Sequence, residues 1–277
     1  MITVHHLENS RSQRVLWLLE ELGLQYRIKR YARDPETRLA PPALRKVHPL
    51  GKSPVITDEG LVLAESGAII EYLVGTYGAD SGLVPPVDTP ERLRYTYWLH
   101  YAEGSAMPPL LLSLVFRKMP EAPMPFIVRP VVRGIAAKVQ SSFVRPQIER
   151  NLDYMEGELA RSEWFAGAGF SAADIQMSFP VEAAAAAGLL GNDHPRLSAF
   201  VARIAERLAV RREQHHDILG RDGASGWHDL LPFKCNPDPR SECPAIRFYI
   251  ISSGLSRTGF VAASPRPIVE PRYRRTP

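Results

Sequence analysis

Ile2-Thr3-Val4-His5-His6-Leu7, then Ser10-Arg11-Ser12-Gln13-Arg14-Val15-Leu16-Trp17-Leu18-Leu19-Glu20-Glu21-Leu22-Gly23, then Tyr26-Arg27-Ile28-Lys29-Arg30-Tyr31 is the stretch on which the fold turns. The first run is short, β-branched and partly alternating, which is the pattern of a strand. The second opens with S-x-x-Q, the form of a capping box, and Val15, Leu16, Leu18, Leu19 and Leu22 recur at helical spacing until Gly23 ends the helix. The third alternates again and makes a second strand, so the chain begins as a βαβ unit.

Beyond this unit, residues 32–50 are polar and proline-containing, a connection with room for one short helix over Pro42 to Val47. Pro54-Val55-Ile56-Thr57 and Leu61-Val62-Leu63 flank Asp58-Glu59-Gly60, which reads as a three-residue hairpin turn with glycine where a positive φ is needed. Ser66 to Tyr77 reads as a helix with Ile69, Ile70, Leu73 and Val74 on one face and Gly78 at its end. A βαβββα domain is thus complete by residue 80. Residues 81–90, with Pro85, Pro86 and Pro90, form a linker.

From Glu91 no strand pair is evident, and apolar positions fall at helical spacing over 91–116, 144–160, 173–187 and 195–208, so residues 91–210 read as an all-α domain. Four prolines from Met119 to Pro130 mark a break between two long helices. After Val210 the periodicity dissolves, and residues 211–277 read as an atypical, disordered tail, either a frameshifted C-terminus or a genuine extension.

The chain has 277 residues, 45% apolar and 23% charged, a composition that excludes wholesale disorder and a fibrous repeat. Its net charge of +4 does not indicate a nucleic-acid groove: residues 1–210 carry 23 basic and 23 acidic side chains, and the whole excess lies in the tail. Cys235 and Cys243, both in the tail, are too few for a disulfide framework or a four-cysteine zinc site, and the histidines lack metal-ligand spacing. No stretch approaches the roughly 18 apolar residues that span a bilayer, and no leader pattern opens the chain. A cytoplasmic protein that binds neither nucleic acid, membrane nor metal is expected.

Four motifs narrow the function. Residues 9–22, Asn9-Ser10-Arg11-Ser12-Gln13-Arg14-Val15-Leu16-Trp17-Leu18-Leu19-Glu20-Glu21-Leu22, resemble the first helix of the cytosolic glutathione transferases. His48-Pro49-Leu50-Gly51-Lys52-Ser53-Pro54-Val55 resembles the loop that carries their cis-proline, and Ala64-Glu65-Ser66-Gly67-Ala68-Ile69 their motif for the γ-glutamyl group. Phe170-Ser171-Ala172-Ala173-Asp174-Ile175 is similar to the capping box of the buried helix in their C-terminal domain. The resemblance covers residues 1 to about 208 and is nearest the bacterial and fungal branch with a serine-type first helix. It implies a thioredoxin-like N-terminal domain, an all-helical C-terminal domain and a homodimer.

Each motif carries a local reading beside the one the resemblance implies. Ser10 is a helix N-cap by pattern; by resemblance its hydroxyl donates to a glutathione thiolate, which backbone N–H groups and the helix dipole also favour at that terminus. Asn9 and Ser12 are its rivals. Ser53-Pro54 is an X-Pro entry to a strand; by resemblance it is cis and turns the Ser53 main chain toward the cysteinyl group, with Gly51 permitting the turn and Lys52 meeting the glycyl carboxylate. Ser53 departs from the aliphatic residue usual there. Glu65 and Ser66 read as a helix start; by resemblance Glu65 accepts from the γ-glutamyl ammonium and Ser66 donates to its carboxylate. Ser171 and Asp174 are given a structural role only. Tyr101 and Met107, in an aromatic run, are expected to line an electrophile pocket. Glutathione is a co-substrate, with no further cofactor, and the function implied is its conjugation to an apolar electrophile in detoxification. A peroxidase or disulfide reductase and a non-catalytic glutathione-binding protein are the alternatives.

Overall fold

The computed structural model describes residues 1–8, 10–35, 37 and 39–219, with side chains in the last helix described to Leu208. Asn9 and residues 220–277 lie outside the described residues, as does that part of the expected tail.

Strand β1 (Ile2–Leu7) leads through α1 (Ser12–Glu21) to β2 (Tyr26–Tyr31), which pairs parallel to it. After the short α2 (Pro42–Arg45) come β3 (Val55–Asp58) and β4 (Leu61–Ala64), antiparallel to each other, with β3 antiparallel to β1. The sheet order is β2-β1-β3-β4, and α3 (Ser66–Tyr77) closes the unit. The first two strands and α3 have the bounds expected from their alternation and their terminal glycines. The hairpin turn differs: Asp58 pairs with Leu61, so the turn is only Glu59-Gly60, at φ 45° and 90°. Two consecutive left-handed residues match the twist of the flanking strands better than a longer loop does.

Helices make up the rest: α4 (Pro90–Tyr101), α5 (Met107–Lys118), α6 (Arg129–Val139), α7 (Arg145–Arg161), α8 (Ala172–Ala186) and α9 (Pro195–Leu219). A π-helical turn at Ala102–Ala106 joins α4 to α5, and another at Gln140–Val144 joins α6 to α7. Each stands just before prolines, Pro108 and Pro109 in one case and Pro146 in the other. A proline within a helix clashes with the carbonyl four residues back and leaves it without a donor, and a widened turn relieves that clash. The Ser105 carbonyl, freed by Pro109, accepts instead from Asn151 Nδ2 at 3.0 Å. Sequence reading passed over α6, whose Gly134 and β-branched Val131 and Val132 weaken the helical signal. It also ended the last helix too early, since α9 continues to Leu219.

Both halves share one apolar core, in which Val15, Leu16, Leu18 and Leu19 of α1 and Ile69, Ile70 and Leu73 of α3 meet Ile175, Val181, Phe200 and Ile204. Arg207 of α9 grips the buried Glu21 with two bonds of 2.7 and 2.8 Å while its guanidinium lies 4.0 Å from the centre of the Phe170 ring. The Ser171–Asp174 capping box forms as expected. Among the described residues no helix is long and apolar enough to cross a membrane.

Candidate active site

The sheet register brings the motifs together. His5 pairs with Val55, and Val55 with Ala64, so the C-terminal part of β1, the first residue of β3 and the last of β4 lie at one end of the sheet. From that end emerge the β1–α1 loop with Ser10, the Ser53-Pro54 loop entering β3, and the Glu65-Ser66 junction leaving β4. Ser10, Lys52, Ser53, Pro54, Glu65 and Ser66 therefore belong to three loops at one sheet end, although the first and last are far apart in sequence.

Ser10 does not cap α1. The N-cap is Arg11, whose side chain makes no capping hydrogen bond to the helix, because the helix starts at Ser12. The Ser10 hydroxyl instead sits in a polar chain: it lies 2.8 Å from Ser12 Oγ, donates to Ser53 Oγ at 3.1 Å and accepts from the Ser12 N–H at 3.4 Å. Ser53 Oγ donates in turn to the His5 carbonyl at 3.0 Å and accepts from the Leu7 N–H at 3.3 Å. Ser12 is fully buried, whereas Ser10 keeps 8% of its surface exposed, so of these two serines only Ser10 reaches the loop surface.

The Ser53–Pro54 peptide is cis, and Gly51 precedes it at φ 58°, where a Cβ would stand 2.5 Å from the Arg45 side chain. Glycine at 51 is required by both the dihedral and the close approach. Lys52 is exposed at the mouth of this loop. Glu65 adopts φ 72°, an unfavourable backbone for a residue with a Cβ, at the entry to α3. This bend leaves the Glu65 side chain exposed and places Ser66 as the first residue of the helix. Ser66 Oγ accepts from Gln176 Nε2 of α8 at 3.1 Å, which leaves the hydroxyl proton available to a ligand.

Tyr101 and Met107, expected to line a pocket, are core residues. The Tyr101 hydroxyl donates to Asn151 Oδ1 at 2.9 Å, orienting the amide that serves the freed Ser105 carbonyl, and its ring packs on Trp98 and Tyr154. Met107 is 4% exposed. The helical domain meets α1 near Ser10 through other residues. Glu103, in the first π-turn, pairs with Arg11 and Arg14 at 2.9 Å each, and Arg14 is stacked 4.5 Å from the centre of the Phe179 ring. Burial pushes the Glu103 carboxyl up, but Arg14 and Arg11 more than reverse this and hold it below the usual carboxylate range. Glu182, one turn beyond Phe179, is pushed up to about 7 by burial, against the opposing charge of Arg14.

The Glu182 shift predicts a pH dependence. The fold holds a proton that the unfolded chain releases, so this group's stabilisation is complete below its ordinary 4.5 and is lost as pH rises through about 7. Thermal melts across that interval are expected to show a flatter profile for Glu182→Gln than for the wild type. Parallel profiles would assign the slope to other groups.

Sequence comparison places these features among known proteins. Residues 10–75 match the family described as Glutathione S-transferase, N-terminal domain, and residues 124–207 that described as Glutathione S-transferase, C-terminal domain. Glutathione S-transferase 3 of Schizosaccharomyces pombe is 39% identical over 211 residues, 76% of this chain and 86% of its own. Glutathione S-transferase 1 of Saccharomyces cerevisiae is 34% identical over 224 residues, 77% of this chain and 95% of its own. The crystal structure of a glutathione S-transferase from Actinobacillus pleuropneumoniae superposes with a TM-score of 0.63 at 31% identity, covering 77% of this chain and 92% of that one.

Proposed function

Given that the chain belongs to the glutathione S-transferase family and is an enzyme of that kind, we propose that it conjugates the glutathione thiolate, with Ser10 as its hydrogen-bond donor, to an apolar electrophile. The observation that carries this reading is the convergence of the Ser10, Ser53-Pro54 and Glu65-Ser66 loops at one sheet end. Glu65 accepts from the γ-glutamyl ammonium, and the Ser66 hydroxyl and N–H at the start of α3 donate to the adjoining carboxylate. The Ser53 main chain pairs with the cysteinyl unit, and Lys52 meets the glycyl carboxylate.

The sulfur then lies at the N-terminus of α1. There, rotation about one C–O bond turns the Ser10 proton from Ser53 Oγ to the thiolate. The thiolate attacks the electrophilic carbon, a C–S bond forms, and the leaving group departs with its electron pair. The protein supplies stabilisation of the anion and proximity. With Tyr101 and Met107 in the core, Glu103 and Phe179, which the helical domain sets against Arg11, the residue next to Ser10, are the better candidates for contacts with the electrophile.

In this reading the enzyme is a cytoplasmic homodimer acting in detoxification, glutathione being its co-substrate. Leu61 and Val62 on edge strand β4 and Leu93 and Tyr97 on α4 present exposed apolar surface on both domains, as a contact between the N-terminal domain of one subunit and the helical domain of the other requires. Residues 1–210 contain no cysteine, which disfavours a disulfide reductase working through an enzyme thiol.

Retention on immobilised glutathione, with turnover of a dinitrohalobenzene exceeding that of cumene hydroperoxide, is the expected result. The reverse preference would favour a peroxidase, and retention without turnover a binding protein. Glu65→Ala and Ser66→Ala are expected to raise the KM for glutathione about tenfold or more, the loss of one charge-assisted hydrogen bond, with kcat little changed. A fall in kcat at constant KM would remove both residues from the binding role.

A further inference from the structure

The polar chain behind Ser10 ends on a histidine that the conjugation scheme does not use. Ser12 Oγ lies 2.7 Å from His6 Nδ1, and His6 is buried at the end of β1. The direction of every proton in the chain follows from its outer end. The His5 carbonyl can only accept, so Ser53 donates to it. Ser53 Oγ is then the acceptor for Ser10, whose single proton is used in that bond. The contact between Ser10 and Ser12 must therefore be donated by Ser12, whose proton is used in turn. One arrangement remains at the inner end: His6 donates from Nδ1 to Ser12 Oγ.

We propose that His6 is a positioning residue for the conjugation: its Nδ1–H, acting through Ser12, commits the Ser10 proton to the outward direction. In the free protein that proton is given to Ser53; with glutathione bound it is given to the sulfur. This rests on the role of Ser10 proposed above and deepens it. Without a donor at His6, the Ser12 hydroxyl needs no longer point at Ser10. Ser10 can then donate inward to Ser12, leaving a lone pair, in place of a proton, facing the thiolate. Burial, and secondarily the charge of Arg30, lowers the His6 pKa to about 4, so the ring stays neutral and can hold one fixed tautomer through the neutral range.

The test uses the full chain with His6→Asn, which keeps an N–H in nearly the place of Nδ1; His6→Phe, which removes it; and the double variant His6→Phe with Ser12→Ala, which also removes the acceptor to which Ser10 would turn inward. The pKa of the bound glutathione thiol, read from thiolate absorbance, is expected to rise by about 0.5–1 unit in His6→Phe and to fall back toward wild type in the double variant. The kcat of His6→Phe is expected to fall about 3- to 10-fold, and His6→Asn to stay near wild type. Binding of S-methylglutathione, which has no thiol to ionise, should change less than about twofold in all three, showing that the site is intact. Equal loss in His6→Asn and His6→Phe, or a thiol pKa unmoved in His6→Phe, would overturn the proposal while leaving the role of Ser10 standing. A wild-type thiol no more acidic when bound than when free would overturn both.

Discussion

Ser10→Ala is expected to lower kcat by about 10- to 100-fold, the kinetic equivalent of about 1.4–3 kcal/mol for one hydrogen bond to an ionised group. The KM for glutathione should change little, since Lys52, Ser53, Glu65 and Ser66 hold the tripeptide elsewhere. The asymmetry follows from geometry. The Ser10 hydroxyl is set at the start of α1, where the sulfur develops charge, and its proton is already directed outward by Ser12. Steady-state kinetics at saturating electrophile separate the two parameters. If kcat were unchanged and KM rose, Ser10 would be a binding contact, and Asn9, its neighbour in sequence, would be the next candidate for the thiolate donor.

Asp174→Ala is expected to cost about 2–4 kcal/mol of stability, because it strands buried donors. Asp174 accepts from the Phe165 N–H at 2.8 Å, from the Ser171 N–H at 2.9 Å and from the Ser171 hydroxyl at 2.9 Å, all fully inside the core. These bonds fix the turn before α8 and so set where Gln176 and Phe179 reach the N-terminal half. The expected shift is a fall of about 5–15 °C in Tm for a domain of this size. Urea unfolding monitored by tryptophan fluorescence checks it. A midpoint unchanged from wild type would mean that water or a rearranged turn satisfies those donors.

What the sequence disclosed and what it hid divide by range. β1, β2 and α3 were legible because alternation, capping chemistry and terminal glycines act over a few residues, and the Gly51–Pro54 and Glu65-Ser66 motifs are local as well. The position of Ser10 was legible but its partners were not. S-x-x-Q promised a cap, whereas the helix starts one residue later and the hydroxyl turns to Ser53, which lies 43 positions away in the chain. Gln176 reaches Ser66 across 110 positions and Glu103 reaches Arg14 across 89, so no local pattern could signal either. Tyr101 illustrates the converse. Its aromatic neighbours suggested a pocket, but Pro109 frees the Ser105 carbonyl, and Tyr101 is used to orient the asparagine that serves it.

The central claim is that this protein binds glutathione so that its sulfur is held as a thiolate at the N-terminus of α1 beside Ser10. The direct measurement is the pKa of the glutathione thiol in the binary complex, followed by thiolate absorbance as pH is raised. The account predicts a value at least about one unit below the roughly 8.5 of a free thiol, since an oriented hydroxyl and a helix N-terminus both favour the anion. A bound thiol that titrates like free glutathione would contradict it.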